Sequence, residues 1–184
     1  PRTLILTGAG GDFASGADIA QLRDRRAADA LRGINATAFG RVGALPMPVI
    51  AAIDGYALGG GAELAYAADI RIGTGAMRIG NPEPRLGIIA AAGATWRLRA
   101  IVGEGRASEM LLTGRIIEAD EALAIGLVSS LHPSEELLPA AHAIADRIAA
   151  NDALATRHTK RALRAPRERH PEIHLSVSAT TRAP

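Results

Sequence analysis

The stretch from Pro48 to Asp69 limits the possible folds of this chain more than any other part of it. It opens with a short apolar run, residues 49–53, bounded by a proline and a glycine, which is typical of a strand buried on both faces. Three consecutive glycines at 59–61 follow, and residues 62–68 are good helix formers. The pattern predicts a strand, a glycine turn and a helix, whose free first-turn N–H groups suit a phosphate or a developing oxyanion.

Two glutamates lie where they could perform acid–base chemistry. Glu63 is in the first turn of the predicted helix, where a carboxylate is also commonly a simple partner of the helix dipole. Glu83 lies between Pro82 and Pro84, so a stiff loop presents its side chain. The Lys-Ser/Thr pair of a phosphate-binding P-loop is missing, which disfavours the phosphate alternative. Two rigid carboxylates beside free N–H donors could add water across a polarised double bond.

Three blocks of the sequence, in this order, resemble the crotonase superfamily. They are residues 6–10 with 13–18, residues 48–69, and residues 80–87. The presence of both Glu63 and Glu83 resembles the enoyl-CoA hydratases of that superfamily, because its double-bond isomerases generally keep only the second glutamate. The similarity runs from about Thr3 to about Leu163.

The resemblance implies reversible syn hydration of a trans-2-enoyl-CoA to a 3-hydroxyacyl-CoA. Glu63 would orient and deprotonate the water, Glu83 would exchange a proton at the α-carbon, and the backbone N–H groups of Ala17 and Gly60 would hold the thioester oxygen. Asp18 could equally be a plain helix N-cap. The residues expected to contact substrate are Ala14, Gly16, Asp18, Gly59, Gly61 and Gly87. No metal is assigned and no cofactor is expected, since coenzyme A is part of the substrate.

Other functions remain open at this point. The same scaffold also supports enoyl-CoA isomerisation, thioester hydrolysis, dehalogenation and carbon–carbon bond chemistry, and a non-catalytic acyl-CoA-binding or assembly subunit is an alternative of another class. One basic cluster could attract the phosphates of coenzyme A or could simply form a solvated helix face. Its members are Arg157, Lys160, Arg161, Arg164, Arg167 and Arg169.

Length and composition restrict the remaining classes. The 184 residues allow one domain of ordinary size, and 48% hydrophobic with only 3% aromatic residues predicts a core of small aliphatic side chains. No run approaches the roughly 20 apolar residues that span a bilayer. Cysteine is absent, which fits a reducing compartment, so we expect a cytoplasmic protein without membrane association. Mixed charges and scarce aromatics argue against nucleic-acid binding.

Alternating strands and helices predict a largely parallel α/β arrangement. The strands are predicted at 4–6, 49–53, 70–73 and 77–79, and the helices near 19 and at 27–44, 62–68, 104–112, 119–125 and 139–150. The resemblance refines this to the crotonase (ClpP/crotonase-like) fold of repeated β-β-α units. It implies a core at 1–125 that lacks the family's N-terminal strands, and a truncated helical region at 126–184 whose helices build homotrimers or dimers of trimers. Trp96 is expected to pack rather than to act in catalysis.

Overall fold

The computed structural model describes residues 1–16 and 33–164. Their strands are β1 (Leu4–Thr7), β2 (Val49–Ile53), β3 (Tyr56–Leu58), β4 (Ile70–Thr74), β5 (Arg78–Gly80), β6 (Ile116–Glu118) and β7 (Leu131–His132). Their α-helices are α1 (Ile34–Ala44), α2 (Gly60–Ala67), α3 (Ala94–Val102), α4 (Glu104–Thr113), α5 (Ala119–Ala124), α6 (Ser134–Ala149) and α7 (Ala153–Arg164). A short 3₁₀ helix covers Glu83–Leu86. The described part is therefore mixed α/β, as predicted.

Strand β2 is the centre of a four-stranded parallel sheet in the order β1-β2-β4-β7. All five of its residues are fully buried, which confirms the predicted burial on both faces. Alternate side chains of a strand point to opposite faces. Accordingly Val49, Ala51 and Ile53 enter the larger core cluster, whereas Ile50 and Ala52 enter a smaller one beneath α6.

A second sheet has the order β3-β5-β6, with β3 and β5 parallel and β6 antiparallel to β5. The first strand of each repeat, β2 or β4, joins the four-stranded sheet, and the second, β3 or β5, joins the three-stranded one. Helix α2 follows β3, and the 3₁₀ helix with α3 follows β5. Because β3 and β5 run side by side in the same direction, the segments that follow them start at the same edge of the sheet.

Several element boundaries differ from the sequence predictions. The strands β3, β6 and β7 were not predicted, because each has only two or three residues and too short a pattern to recognise. Helix α6 begins five residues before Pro139, the predicted first residue, and contains that proline. Leu137 and Ala141 pack α6 against the sheet, which offsets the cost of about 3 kcal/mol for an interior proline. The predicted helical residues 27–32 and the helix near 19 lie outside the described residues.

Alanine and branched aliphatic residues form most of the core, in agreement with the composition. Trp96 does not join them, because it is 52% exposed on α3, with the guanidinium of Arg97 5.3 Å from its ring centroid. Among the described residues, therefore, Trp96 does not pack into the core, and the prediction that it packs is wrong. Among residues 1–16 and 33–164, no helix has the length and apolarity that crossing a bilayer requires.

Candidate active site

The glycine turn between β3 and α2 takes a conformation that needs glycine. Gly59 has φ 54° and ψ −122°, and its N–H donates to the carbonyl of Gly80 on the neighbouring strand at 2.9 Å. Gly60 is the first residue of α2, so its N–H has no partner within the helix. Asn35 and Phe39 of α1 lie over it, 3.7 and 3.9 Å from where a Cβ of Gly60 would be. The turn thus offers a backbone donor under a partly apolar cover.

The segment from Phe13 to Gly16 lies directly beside this turn. The N–H of Ala14 donates to the carbonyl of Tyr56 at 2.9 Å, and its carbonyl accepts the N–H of Leu58 at 3.0 Å. A Cβ on Gly61 would lie 2.0 Å from that carbonyl oxygen, and one on Gly16 would lie 2.8 Å from the carbonyl of Leu58. Glycine is required at both positions by this close approach, and the two predicted oxyanion segments therefore meet.

The other residues predicted on the first segment cannot be placed. Ala17 and Asp18 lie outside the described residues, so the assignment of the Ala17 N–H to the oxyanion site and the two alternatives for Asp18 stay predictions. Gly16 is the last described residue of the first segment, and a Cβ on it would lie 4.0 Å from the backbone nitrogen of Gly60. The first segment therefore leads to the N–H of Gly60.

Glu63 is buried, and its carboxylate meets the start of the next helix. Its Oε1 accepts the backbone N–H groups of Ala92 at 2.7 Å and Ala94 at 3.0 Å, at the beginning of α3. The side chain thus accepts hydrogen bonds from the N-terminus of α3, a contact that the sequence could not indicate. Burial raises the pKa of Glu63 despite these donated bonds, and the charge of Glu83 raises it further.

Glu83 is the first residue of the 3₁₀ helix and is also buried, with 8% exposure. Its Oε1 accepts the side-chain amide of Asn81 at 3.4 Å, whereas its Oε2 is buried with no hydrogen-bond partner among the described residues. Burial is the main reason that the pKa of Glu83 is raised, and the bonds it accepts only reduce this effect. A Cβ on Gly59 would lie 3.1 Å from Oε1, so the glycine turn is in contact with this carboxylate.

The two glutamates therefore meet at one turn. The N–H of Glu63 donates to the carbonyl of Gly59 at 3.0 Å, and Glu83 contacts the same glycine. In the described part of the chain neither carboxylate takes part in a salt bridge. Two buried carboxylates without a cationic partner can change protonation state more readily near neutral pH than exposed ones, which is what general acid–base catalysis needs.

Gly87, another predicted substrate-contact residue, follows the 3₁₀ helix that begins at Glu83. It ends the 3₁₀ helix with φ 70°, and its N–H donates to the carbonyl of Pro84 at 3.1 Å. A Cβ there would meet no atom of the described residues within 4 Å. Its glycine is explained by the positive φ, and its contact with substrate stays a prediction.

Two further site residues, Asn81 and Tyr66, were not predicted from the sequence, and both are buried. Asn81 is fully buried, and its amide nitrogen also donates to the carbonyl of Gly59 at 3.3 Å. The hydroxyl of Tyr66 donates to Oδ1 of Asn81 at 3.1 Å. The sequence could have indicated Asn81, because it lies only two residues before Glu83. It could not indicate Tyr66, because the contact between Tyr66 and Asn81 depends on how α2 packs over β5.

Two members of the basic cluster have a different role from either predicted one, whereas the other two described members lie exposed on α7, as a solvated helix face predicts. Lys160 is buried and binds Asp69 at 2.8 Å, and Arg164 binds the same carboxylate at 2.8 Å. These two side chains therefore attach α7 to the core. Arg167 and Arg169 lie outside the described residues. Within 1–16 and 33–164, no group of three or more histidine, aspartate or glutamate side chains could hold a metal ion.

Comparison with known proteins shows the family of the chain. The family model of enoyl-CoA hydratase/isomerase matches residues 1–181. The chain is 44% identical over 162 residues to the crotonyl-CoA hydratase of Syntrophomonas wolfei, covering 86% of this chain and 62% of that protein. It is 42% identical over 163 residues to the short-chain-enoyl-CoA hydratase of Clostridium acetobutylicum, covering 87% of this chain and 62% of that protein.

A solved structure gives the same result for the fold. The crystal structure of an enoyl-CoA hydratase from Bacillus anthracis matches with a TM-score of 0.87 and 39% identity, covering 97% of this chain and 70% of that one. The predicted crotonase fold is thereby confirmed. The chain spans less than two thirds of the length of the curated relatives named above. It belongs to the enoyl-CoA hydratase/isomerase family.

Proposed function

We propose that the protein is an enoyl-CoA hydratase that adds water reversibly and syn to a trans-2-enoyl-CoA, giving a 3-hydroxyacyl-CoA. The observation that carries the proposal is the pair of buried carboxylates, Glu63 and Glu83, on two residues that both contact Gly59. Both pKa values are raised, mainly by burial. The hydratase names of the relatives support the same reaction.

Each group of the candidate active site can take one role in this hydration reaction. The N–H of Gly60, with that of Ala17 as the predicted second donor, would hold the thioester oxygen while enolate charge develops. Loss of one such donor typically costs about 10²- to 10³-fold in rate. Ionised Glu63 would take a proton from the water as its oxygen bonds to the β-carbon. Protonated Glu83 would deliver a proton to the α-carbon, so that the water's elements add to one face.

The test follows loss of the conjugated enoyl-thioester absorbance of crotonyl-CoA. We expect turnover by the unchanged protein and a loss of at least about 10²-fold in kcat for each of Glu63→Gln and Glu83→Gln. Glu118→Gln is the matched control, because that glutamate is exposed on β6. Wild-type turnover by the Glu83→Gln variant would overturn the proposal.

Double-bond isomerisation is distinguished with a 3-enoyl-CoA and the same variants. A hydratase needs both carboxylates, whereas an isomerase would keep its activity in Glu63→Gln. A bound acyl-CoA that is never turned over would indicate a binding or assembly subunit instead.

The same proposal extends to the partners and location of the protein. We propose that it binds its acyl-CoA substrate without a separate cofactor and acts in the cytoplasm as a homotrimer or a dimer of trimers. Leu112, Leu154 and Leu163 of the later helices are more than 60% exposed, and such apolar groups favour association. Sedimentation velocity tests the oligomer, and a monomer at micromolar concentration would contradict it.

A further inference from the structure

One chain of hydrogen bonds links three buried polar side chains, the last of which is Glu83. It runs from the hydroxyl of Tyr66 on α2, through the amide of Asn81, to Oε1 of Glu83. Tyr66 is 2% exposed and Asn81 is fully buried. Buried polar groups are normally retained only where their hydrogen bonds are satisfied, so this chain needs an explanation beyond packing.

The hydroxyl of Tyr66 determines which way the Asn81 amide faces. An asparagine amide has one accepting and one donating end, and a rotation of 180° exchanges them. Because Tyr66 donates to Oδ1 at 3.1 Å, the NH₂ end faces the other way. There it donates to the carbonyl of Gly59 at 3.3 Å and to Oε1 of Glu83 at 3.4 Å.

This orientation makes the two oxygens of Glu83 different. Oε1 faces an N–H donor, so a proton on that oxygen would oppose the donated hydrogen. Oε2 is buried and has no hydrogen-bond partner in the described part of the chain. When Glu83 is protonated, the proton therefore belongs on Oε2, the oxygen left free for substrate.

We propose that Tyr66 and Asn81 are positioning residues that fix the Glu83 proton on Oε2 and hold the carboxyl group against the glycine turn. The inference rests on the proposed hydratase function. The same amide binds Gly59, the residue before the Gly60 donor. This chain of hydrogen bonds, the Tyr66–Asn81–Glu83 relay, thus connects the acid to the turn that precedes the predicted oxyanion donor.

The charged groups around the relay do not provide a simpler explanation. Burial raises the pKa of Tyr66 most, and the charges of Glu83 and of Glu63 on the same helix raise it further. Arg71 on β4 acts in the opposite direction and is held by the carbonyls of Leu127 and Ala68 at 2.9 and 2.8 Å. Tyr66 is therefore neutral and a hydrogen-bond donor at every pH at which the enzyme is assayed.

The first test removes only the hydroxyl. In Tyr66→Phe the amide of Asn81 is free to rotate, and we expect kcat with crotonyl-CoA to fall about tenfold, the equivalent of one hydrogen bond, while KM changes less than about twofold. Since the amide favours ionised Glu83, its loss raises the pKa of that group, so the alkaline limb of the kcat profile moves to higher pH. Tyr56→Phe is the matched control on the other, exposed tyrosine.

A second variant separates the relay from simple packing. Asn81→Leu removes the donor and keeps the branched shape of the side chain, and it should move the same limb in the same direction. Because both changes interrupt one path, the double variant should lose no more kcat than Asn81→Leu alone. Multiplicative losses, or a fall in kcat that follows the melting temperature with the alkaline limb unmoved, would overturn the proposal.

Failure of the hydratase function would be recognised separately. If the unchanged protein does not turn over crotonyl-CoA, the titration of Glu83 is followed instead by carboxyl ¹³C NMR, with Glu83→Gln to assign its signal. A Glu83 pKa that rises in Tyr66→Phe and Asn81→Leu, but not in Tyr56→Phe, supports the relay without any activity. An unchanged titration in both overturns it.

Discussion

Two regions of this molecule contain carboxylates with different kinds of partner: Asp69 is partly buried, whereas Glu63 and Glu83 are buried. Asp69 binds Lys160 and Arg164 at 2.8 Å each and also accepts the N–H of Val49 at 2.8 Å. Glu63 and Glu83 accept only backbone or amide N–H groups among the described residues. The first carboxylate is neutralised by cations, whereas the other two rely on dipoles.

The difference separates attachment from chemistry. A carboxylate paired with two cations keeps its charge, and here it joins α7 to the start of β2 through contacts far apart in sequence. A carboxylate that only dipoles stabilise is more weakly held in its ionised form, and burial raises the pKa of both glutamates. Protons can therefore move at Glu63 and Glu83 without loss of an ion pair. The predictions below test this distinction.

The largest effect on stability is expected at the ion-pair cluster. Asp69→Asn leaves Lys160, which is 93% buried by side-chain and backbone packing, without its counter-charge. Removal of one partner of a buried pair costs about 3–5 kcal/mol. Urea unfolding at one fixed protein concentration measures it. A loss below about 1 kcal/mol, the value of an exposed pair, would contradict the structural role of this cluster.

A smaller loss is expected where the glycine turn touches the first segment. Gly61→Ala would place a Cβ 2.0 Å from the carbonyl oxygen of Ala14, a backbone atom that must then move. Such overpacking typically costs about 1–3 kcal/mol, and the displaced turn should also lower kcat. Gly40→Ala on α1 is the control, because its Cβ would meet nothing within 4 Å in the part of the chain that the structure describes, and alanine favours a helix by about 0.5–1 kcal/mol. Equal stability of the two variants would contradict the contact.

The active-site glutamates should reduce stability at neutral pH. A carboxyl group whose pKa is raised by folding contributes stability that is complete below its unfolded value, near 4.5, and is lost as the pH rises through its folded value. The unfolding free energy of the unchanged protein should therefore fall with pH over this window more steeply than that of Glu63→Gln or Glu83→Gln. Urea unfolding at a series of pH values measures the slopes, and steeper slopes in the variants would reverse the assignment.

The smallest effect is expected for an exposed ion pair. Glu118 binds Arg78 at 3.1 Å, and its side chain is 70% exposed. Glu118→Gln should change the unfolding free energy by no more than about 1 kcal/mol. A loss as large as that of Asp69→Asn would mean that charge alone, rather than burial, distinguishes the regions.

Much of the fold and of the site could be predicted because it depends on local sequence. The run 49–53, the glycines at 59–61 and the prolines around Glu83 restrict the backbone by themselves, and the strand, the turn and the stiff loop follow. The two- or three-residue strands β3, β6 and β7 were missed although β5, equally short, was predicted one residue early, and the start of α6 was missed because packing outweighs Pro139. These differences arise where tertiary contacts, rather than propensity, decide the structure.

The sequence by itself determined the order of the three blocks, the identity of the two glutamates and the small aliphatic core. Only the tertiary structure decided what those glutamates touch. Glu63 meets N–H groups 29 and 31 residues away, Tyr66 meets Asn81 across 15 residues, and Arg164 meets Asp69 across 95. Hydrogen-bond partners at such separations depend on how whole elements pack, and periodicity or local propensity carries no information about that.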